Sequence, residues 1–529
     1  MPIGFRFPAY ASGWRFLPSY ILLACLLLAA LPNAVGQEAS LQTRLARLWN
    51  QETIPQQAFA GLVVVDPSTG KTIFSQNGSR TFTPASNTKL FSTALALTRL
   101  GPEYRMETEV RAEAPWAPES GVLQGDLALI GRGDPSISSR TFPYDRETAQ
   151  ERDYDLPALK ELAKAVADRG IRVIEGDIIG DDRAYVWEPL REGWAQDDAL
   201  FDYGAPVSAL TLNDNTVRLS VFAGMRDGEP TRLDLRPTTH YYDILNEVHT
   251  VRGAKPQLEW DRIWGQRTLL LEGALPPASA PIIRHIAIDD PALFAAQAFR
   301  EALLAIGITV KGNARSRHLL APDYSHAGPE LRQKRGASAV SVPEANKGQI
   351  HLRLSPPLSD LIRMVNKQSQ NLHAELLLCE VSRAKNGFGS RNDGLKELRA
   401  FLTELGISAE QAAFSDASGM SRLNLVSPES TARLLTAMWK SPHRDVWMGS
   451  LPIGGKDGTL SSRFDGNLLA ERVSAKTGTL TGVSALSGYA RTRSGKVLVF
   501  SAMVNNHNGP GSASRKFLDA LALEIAQTP

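Results

Sequence analysis

The texture of this chain changes twice along its length, and nothing else constrains its fold as tightly. Up to about residue 104, and again from about residue 346, helical periodicity dominates around a few short strands. Between them lies a long run of strand-like segments and polar turns. A chain of 529 residues is also too long for one compact core at ~100–200 residues per domain. The simplest solution is a single α+β module cut in two by a β-rich insertion, with its outer pieces meeting in space.

In the first piece, residues 40–50 read as a helix, and 58–65 as an apolar, β-branched strand. The turn Asp66-Pro67-Ser68-Thr69-Gly70 returns the chain along 71–74. Then Thr83-Pro84-Ala85-Ser86-Asn87-Thr88-Lys89 opens a helix running to about residue 100. In the last piece, helices are expected at 358–364, 372–383, 394–405 and 431–438. Two strands follow, 485–492 and 497–505, turning at Arg493-Ser494-Gly495, and then a helix over 513–526. The insertion shows strands at 127–130 and 173–179, almost pure β texture over 214–285, and a helix at 291–306. Residues 331–346 are polar and basic, as in a linker. The expected division is an export signal at 1–36, a split module at 37–104 and 346–529, an inserted domain at 105–213 and 286–345, and an all-β domain at 214–285 nested within it.

The export signal rests on Arg6 and Arg15 before the apolar run 20–31, the break at Pro32-Asn33, and the small residues Ala34 and Gly36 before Gln37. The run is short for a spanning helix, which needs ~20 residues. Cleavage there would remove Cys25 and leave Cys379 alone, so no intramolecular disulfide could support the exported chain. Cys379 lies in the apolar stretch Leu376-Leu377-Leu378-Cys379, the setting of an inert, buried thiol. Lys+Arg of 58 against Asp+Glu of 56 gives no electrostatic footprint for nucleic acid.

Three short motifs carry the chemistry: Ser86-Asn87-Thr88-Lys89, Ser369-Gln370-Asn371 and Lys476-Thr477-Gly478-Thr479. Alone each is weak, since S-x-x-K recurs at Ser68–Lys71 and Ser382–Lys385, and S-x-N at Ser75–Asn77 and Ser390–Asn392. Context separates them. Ser68 and Ser75 belong to a hairpin and Ser382 to the end of a helix, whereas Ser86 opens one and so places Lys89 a turn away on the same face. A serine hydroxyl needs a base to take its proton. Lys89 serves if neutral, a form favoured by burial beside the second cation Lys476. The amides of Ser86 and Thr479 suit an oxyanion, and Gly478 would let a substrate backbone approach. Ser369 can relay a proton to a leaving amine, and the Asn371 amide can meet a substrate carbonyl. Lys476, Thr477 and Thr479 make a cationic, hydroxyl-rich pocket for a terminal carboxylate.

Other readings are weaker. Ser86 could be an ordinary N-cap, and Lys476 a solvated turn residue. Gly70-Lys71-Thr72 lacks the first glycine of a phosphate loop. His373-Ala374-Glu375 matches the H-x-E of zinc deaminases, but no P-C-x-x-C follows. There is no H-E-x-x-H and no G-x-S-x-G. No metal or cofactor is expected.

Beyond the three motifs, the chain resembles the D-alanyl-D-alanine carboxypeptidase/endopeptidase family of low-molecular-mass class C penicillin-binding proteins, of the penicillin-binding protein 4 type. The likeness runs through Gly125-Asp126-Leu127, Gly133-Asp134-Pro135, Gly180-Asp181-Asp182, Asn213-Asp214-Asn215 and Asn371-Leu372-His373-Ala374-Glu375. It continues in Asp416-Ala417-Ser418-Gly419-Met420-Ser421-Arg422-Leu423-Asn424 and in 451–460. The stretch from Ser86 to Ser369 is more than twice that from Ser369 to Lys476, as the family's insertion requires.

The resemblance implies a penicillin-recognising transpeptidase/β-lactamase-like fold, with an antiparallel sheet, helices and a large β-rich insertion. It implies a periplasmic serine-type D-Ala-D-Ala carboxypeptidase and D,D-endopeptidase acting on peptidoglycan stem peptides, with β-lactams as inhibitors. Ser86 would be the nucleophile, Lys89 its base and Ser369 the relay, with Asn371, Lys476, Thr477, Gly478 and Thr479 binding substrate. An acidic residue of the insertion and an arginine, placed at Asp181 and Arg422, would line a pocket for the substrate's side chain. Ala417 stands where the family usually has glycine, and Gln370 where Asp is commoner. A β-lactamase and a non-catalytic wall-binding protein are the rival functions. Homo-oligomerisation and peripheral membrane contact stay open.

Overall fold

The computed structural model describes residues 39–529 apart from 118, 148–153, 155, 264 and 321–347. The expected export signal at 1–36, with Cys25, and the linker at 331–346 lie outside the described residues.

The two ends of the chain share one antiparallel sheet. Its strands run in the order Thr72–Gln76, Phe59–Val65, Val497–Asn505, Val483–Arg491, Val473–Leu480. The junction is the pairing of Phe59 with Asn505 through Val65 with Val499. Successive side chains point to opposite faces of a sheet. Leu62 and Val64 therefore pack with Leu486, Phe500 and Val504 under the helices Leu41–Gln51 and Gly511–Ala526. Val63 and Val65 face the other way, toward Ala485, Tyr489 and Met503. Helices Thr88–Leu100, Leu358–Gln368, Asn371–Asn386 and Pro428–Lys440 cover that side. With both faces buried, strand Phe59–Val65 reads as a nearly unbroken apolar run rather than an alternation. Within the second layer the Tyr489 hydroxyl donates to the Leu435 carbonyl at 2.7 Å and accepts from the Trp447 indole at 2.9 Å.

Helix Thr88–Leu100 is the central one. Every residue from Thr88 to Leu97 is buried, the polar Thr88, Lys89, Ser92 and Thr93 among them. It ends at Gly101, whose φ of 82° is the left-handed stop that glycine provides.

The insertion builds a second five-stranded sheet: Ala314–Leu320, Ile178–Trp187, Leu127–Gly131, Glu107–Ala112 and Gln349–Leu354, in that order. The last strand moves the expected boundary at 346. Gln349–Leu354 pairs with Glu107–Ala112 of the insertion, and the split module resumes with the helix at Leu358. The nested segment forms two three-stranded sheets, one centred on Thr216–Phe222 and one on Thr268–Leu275. Its described buried residues share the insertion's core: Leu219, Tyr241 and Leu271 join Leu129, Leu162 and Phe294 in one continuous cluster.

Candidate active site

Ser86 sits in a single 3-10 turn, Ala85–Asn87, directly before helix Thr88–Leu100. Ala85, just ahead of it, holds a left-handed φ of 47°, a strained conformation for a side chain with a Cβ. One turn on, Lys89 is fully buried. Its Nζ donates to Ser86 Oγ at 2.9 Å, to Asn371 Oδ1 at 2.6 Å and to the Ser418 carbonyl at 2.6 Å.

The second lysine comes from the edge strand Val473–Leu480. Lys476 Nζ donates to Ser369 Oγ at 2.8 Å and to the Thr477 carbonyl at 2.9 Å. The Asn87 amide ties the Ser86 turn to this strand through the Lys476 carbonyl at 3.0 Å. Ser369 occupies the junction of helices Leu358–Gln368 and Asn371–Asn386 with a left-handed φ of 59°. That conformation ends one helix and starts the next, turning Ser369 and Asn371 toward the two lysines. Gln370 faces away and caps the second helix, accepting from the Leu372 amide at 2.9 Å.

Burial lowers the Lys89 ammonium to about 7, against an upward pull from the carboxylates of Asp416 and Glu375. Burial and then the charge of Lys89 hold Lys476 well below the usual lysine range. Desolvation thus favours the neutral amine at Lys89, while the cation–cation repulsion is felt mainly at Lys476. A neutral Lys89 reverses its bond to Ser86, so that Ser86 Oγ becomes the donor and the amine the acceptor.

Along the K-T-G-T strand, Thr477 Oγ1 bonds Thr459 Oγ1 at 2.8 Å and Thr479 is exposed. Gly478 also lets the strand close against the Ser86 turn. A Cβ there would lie 2.6 Å from the Pro84 carbonyl oxygen and 3.2 Å from Ala85 Cβ. Arg422 is exposed, with its guanidinium on the Thr481 carbonyl at 3.0 Å.

The placement of Asp181 is corrected. It is buried within strand Ile178–Trp187 and engaged by Arg183 at 2.6 Å and Arg317 at 3.5 Å, with no contact to the other site residues. A carboxylate of the insertion that does feel the charge of Arg422 is Asp198, in the short turn Gln196–Leu200. Burial and Asp197 push its carboxyl up, and Arg422 draws it down. Nearby, the Tyr203 carbonyl accepts from Asn371 Nδ2 at 2.8 Å. His373 of the H-x-E sequence is buried against Asp214 at 2.9 Å. Cys379 is a buried free thiol.

Several residues around Lys89 had a sequence signal but no assigned task. Glu375 Oε1 accepts the amides of Ala417 and Ser418 at 2.9 and 2.8 Å. Asp416 accepts from Trp194, Gly419, Ser421 and Asn424 at 2.6–2.9 Å, fixing the loop that carries the Ser418 carbonyl.

A buried lysine beside a serine at a helix start, with a second lysine on the facing edge strand of a helix-covered antiparallel sheet, defines a penicillin-recognising serine hydrolase. Residues 41–324 and 317–525 match the model of the D-Ala-D-Ala carboxypeptidase 3 (S13) family, and the chain belongs to that family. It is 34% identical over 482 residues to a D-alanyl-D-alanine carboxypeptidase of Actinomadura sp. (strain R39), covering 89% of this chain and 81% of the relative. It is 25% identical over 466 residues to the D-alanyl-D-alanine carboxypeptidase DacB of Haemophilus influenzae, covering 86% and 87%. Its fold is similar to the crystal structure of penicillin binding protein 4 from that organism, with a TM-score of 0.73 at 23% identity over 91% of this chain and 97% of the other.

Proposed function

We propose that this chain is an exported serine peptidase that removes the terminal D-Ala from peptidoglycan stem peptides through an acyl-enzyme at Ser86, and cuts D-Ala–diaminopimelate cross-links by the same route. The observation that carries this is Lys89: fully buried, lowered to about 7, and 2.9 Å from Ser86 Oγ. Neutral Lys89 takes the Ser86 proton as Oγ bonds to the carbonyl carbon of the penultimate D-Ala. The amides of Ser86 and Thr479 hold the resulting oxyanion. The C–N bond then breaks as the proton taken by Lys89 passes by way of Ser369, held by Lys476 at 2.8 Å, to the leaving amine, which returns Lys89 to the neutral form. Water then attacks the ester carbonyl and gives its proton to neutral Lys89, which passes it to Ser86 Oγ as the C–O bond breaks and the acid leaves.

Thr477, Thr479 and Lys476 receive the terminal carboxylate of the substrate. Because strand Val473–Leu480 lies at the sheet edge, an extended peptide can add to it by backbone hydrogen bonds. Asp198 and Arg422, opposite in charge and within electrostatic reach of each other, recognise a side chain that carries both an amine and a carboxylate. β-Lactams acylate the same serine. Export rests on the N-terminal apolar run and its flanking arginines. Among the described residues no helix is long and apolar enough to cross a membrane.

The test is labelling by a fluorescent penicillin, together with mass spectrometry of defined monomeric and cross-linked muropeptides. Wild type takes the label, Ser86→Ala does not, and the pentapeptide loses one alanine. An unlabelled wild type, or Ser86→Ala labelled equally, would overturn this function.

A further inference from the structure

A neutral lysine amine has two N–H groups and one lone pair in tetrahedral arrangement. If the lone pair of Lys89 is to point at Ser86 Oγ, its two N–H groups must be held by its other partners, the Ser418 carbonyl and Asn371 Oδ1, both at 2.6 Å. The positions of these two acceptors therefore aim the base. Both are fixed from the insertion. The Tyr203 carbonyl takes the Asn371 Nδ2 donor at 2.8 Å, which leaves Oδ1 facing Lys89. The Ser418 carbonyl is held through Glu375, whose Oε1 binds the amides of Ala417 and Ser418. Glu375 Oε2 is in turn held by Arg191 Nε at 3.1 Å.

Arg191 belongs to the insertion, 4% exposed, and also donates to the Glu188 carbonyl at 2.8 Å through Nη1 and to Cys379 Sγ at 3.2 Å through Nη2. A buried ion pair is a poor stabiliser compared with apolar side chains of the same volume. Stability alone gives no account of this pair, whereas directional control of the Ser418 backbone does.

We propose that Arg191 and Glu375 are positioning residues for acylation: the insertion's guanidinium locks the Glu375 carboxylate onto the Ala417 and Ser418 amides, and the Ser418 carbonyl so fixed directs Lys89 at Ser86. The insertion is on this account part of the base, and not only a wall of the substrate cleft. The charged groups facing Lys89 are Glu375 from helix Asn371–Asn386, Asp416 from the loop after strand Ala412–Ala413, and Lys476 from the edge strand.

The proposal rests on the acyl-enzyme function above, which fails separately if Ser86→Ala still takes the penicillin label. The experiment measures the acylation rate of the full chain by fluorescent penicillin from pH 5 to 9, normalised to titratable active sites. Glu375→Gln keeps an oxygen for both amides but removes the charge. Its new amide N–H meets the Arg191 guanidinium donor against donor, so its plateau rate falls by at least about threefold, while its acid limb moves to lower pH because one carboxylate favouring the ammonium is gone. Glu375→Ala frees the Ser418 loop and lowers the plateau by about 100-fold, the scale set by an ångström of misplacement. Arg191→Met strands the carboxylate and lowers the plateau by at least about tenfold, and adding Glu375→Gln recovers it, a coupling expected of neighbours that act as one unit.

A role in stability alone would lower the melting temperature and the active fraction, but would leave the normalised rate and the acid limb unmoved. That result, or a double variant no faster than Arg191→Met, overturns the proposal. Should Glu375→Ala not fold, the Glu375→Gln limb and the double variant decide.

Discussion

Gly478→Ala isolates the fit between the K-T-G-T strand and the Ser86 turn. The added Cβ would lie 2.6 Å from the Pro84 carbonyl oxygen, where ordinary contact begins at 3.4 Å. Strand and turn must then part by about 0.8 Å, an overpacking strain of the kind that costs about 1–3 kcal/mol. Ser86 lies on one side of that seam and Thr479 on the other, so the two oxyanion donors spread by a similar amount. A displacement of about 1 Å in such a site lowers rates by ~100-fold. The assay pairs thermal unfolding with the acylation rate by a fluorescent penicillin, alongside Gly509→Ala, whose Cβ meets nothing within 4 Å. Gly478→Ala should lose stability and acylate about a hundred times more slowly, and the control should change neither. If Gly478→Ala matches wild type in both, the seam does not set the oxyanion geometry and that part of the mechanism is wrong.

Two further outcomes follow from the same structure. Because Lys89 must be neutral to act and lies at about 7, the acylation rate should rise through pH 7 and flatten above it; a rate independent of pH between 5 and 8 would refute Lys89 as the base. Tyr489→Phe leaves the buried Leu435 carbonyl and Trp447 indole without their partner, so denaturant unfolding should show a loss of about 1–3 kcal/mol per unpaired group, with the per-site acylation rate unchanged.

What could be read from the sequence was what depends on near neighbours. The hairpin at Phe59–Val65 and Thr72–Gln76, the helix after Ser86 and the final strand pair all follow from local pattern and turn chemistry. The three motifs and the split sheet were legible because residue types with one shared purpose stood in a fixed order. What escaped depends on packing between distant segments. Asp181 has the right charge, but Arg183 two residues away and Arg317 across the sheet take it. The charge of Arg422 reaches Asp198 because the fold brings a short turn of the insertion near a loop more than two hundred residues later in the chain. Strand Gln349–Leu354 joined the insertion because its partner, Glu107–Ala112, lies over two hundred residues earlier. The left-handed backbone of Ser369 and Ala85, neither of them glycine, is likewise imposed by surroundings that a linear pattern does not contain.

The stitching of Phe59–Val65 to Val497–Asn505 also has a temporal meaning. A hairpin made near the beginning of synthesis has no companion until almost the last residues emerge, since the three remaining strands of its sheet all come after residue 472. Contacts so far apart in the chain form late. The insertion's own core, drawn from residues 110–350, is complete much earlier and can consolidate as a unit. Lys476 and its neighbours therefore meet Ser86 only in the final act of folding, and an unfinished or truncated chain carries no working hydrolase that could damage the wall it is made to trim.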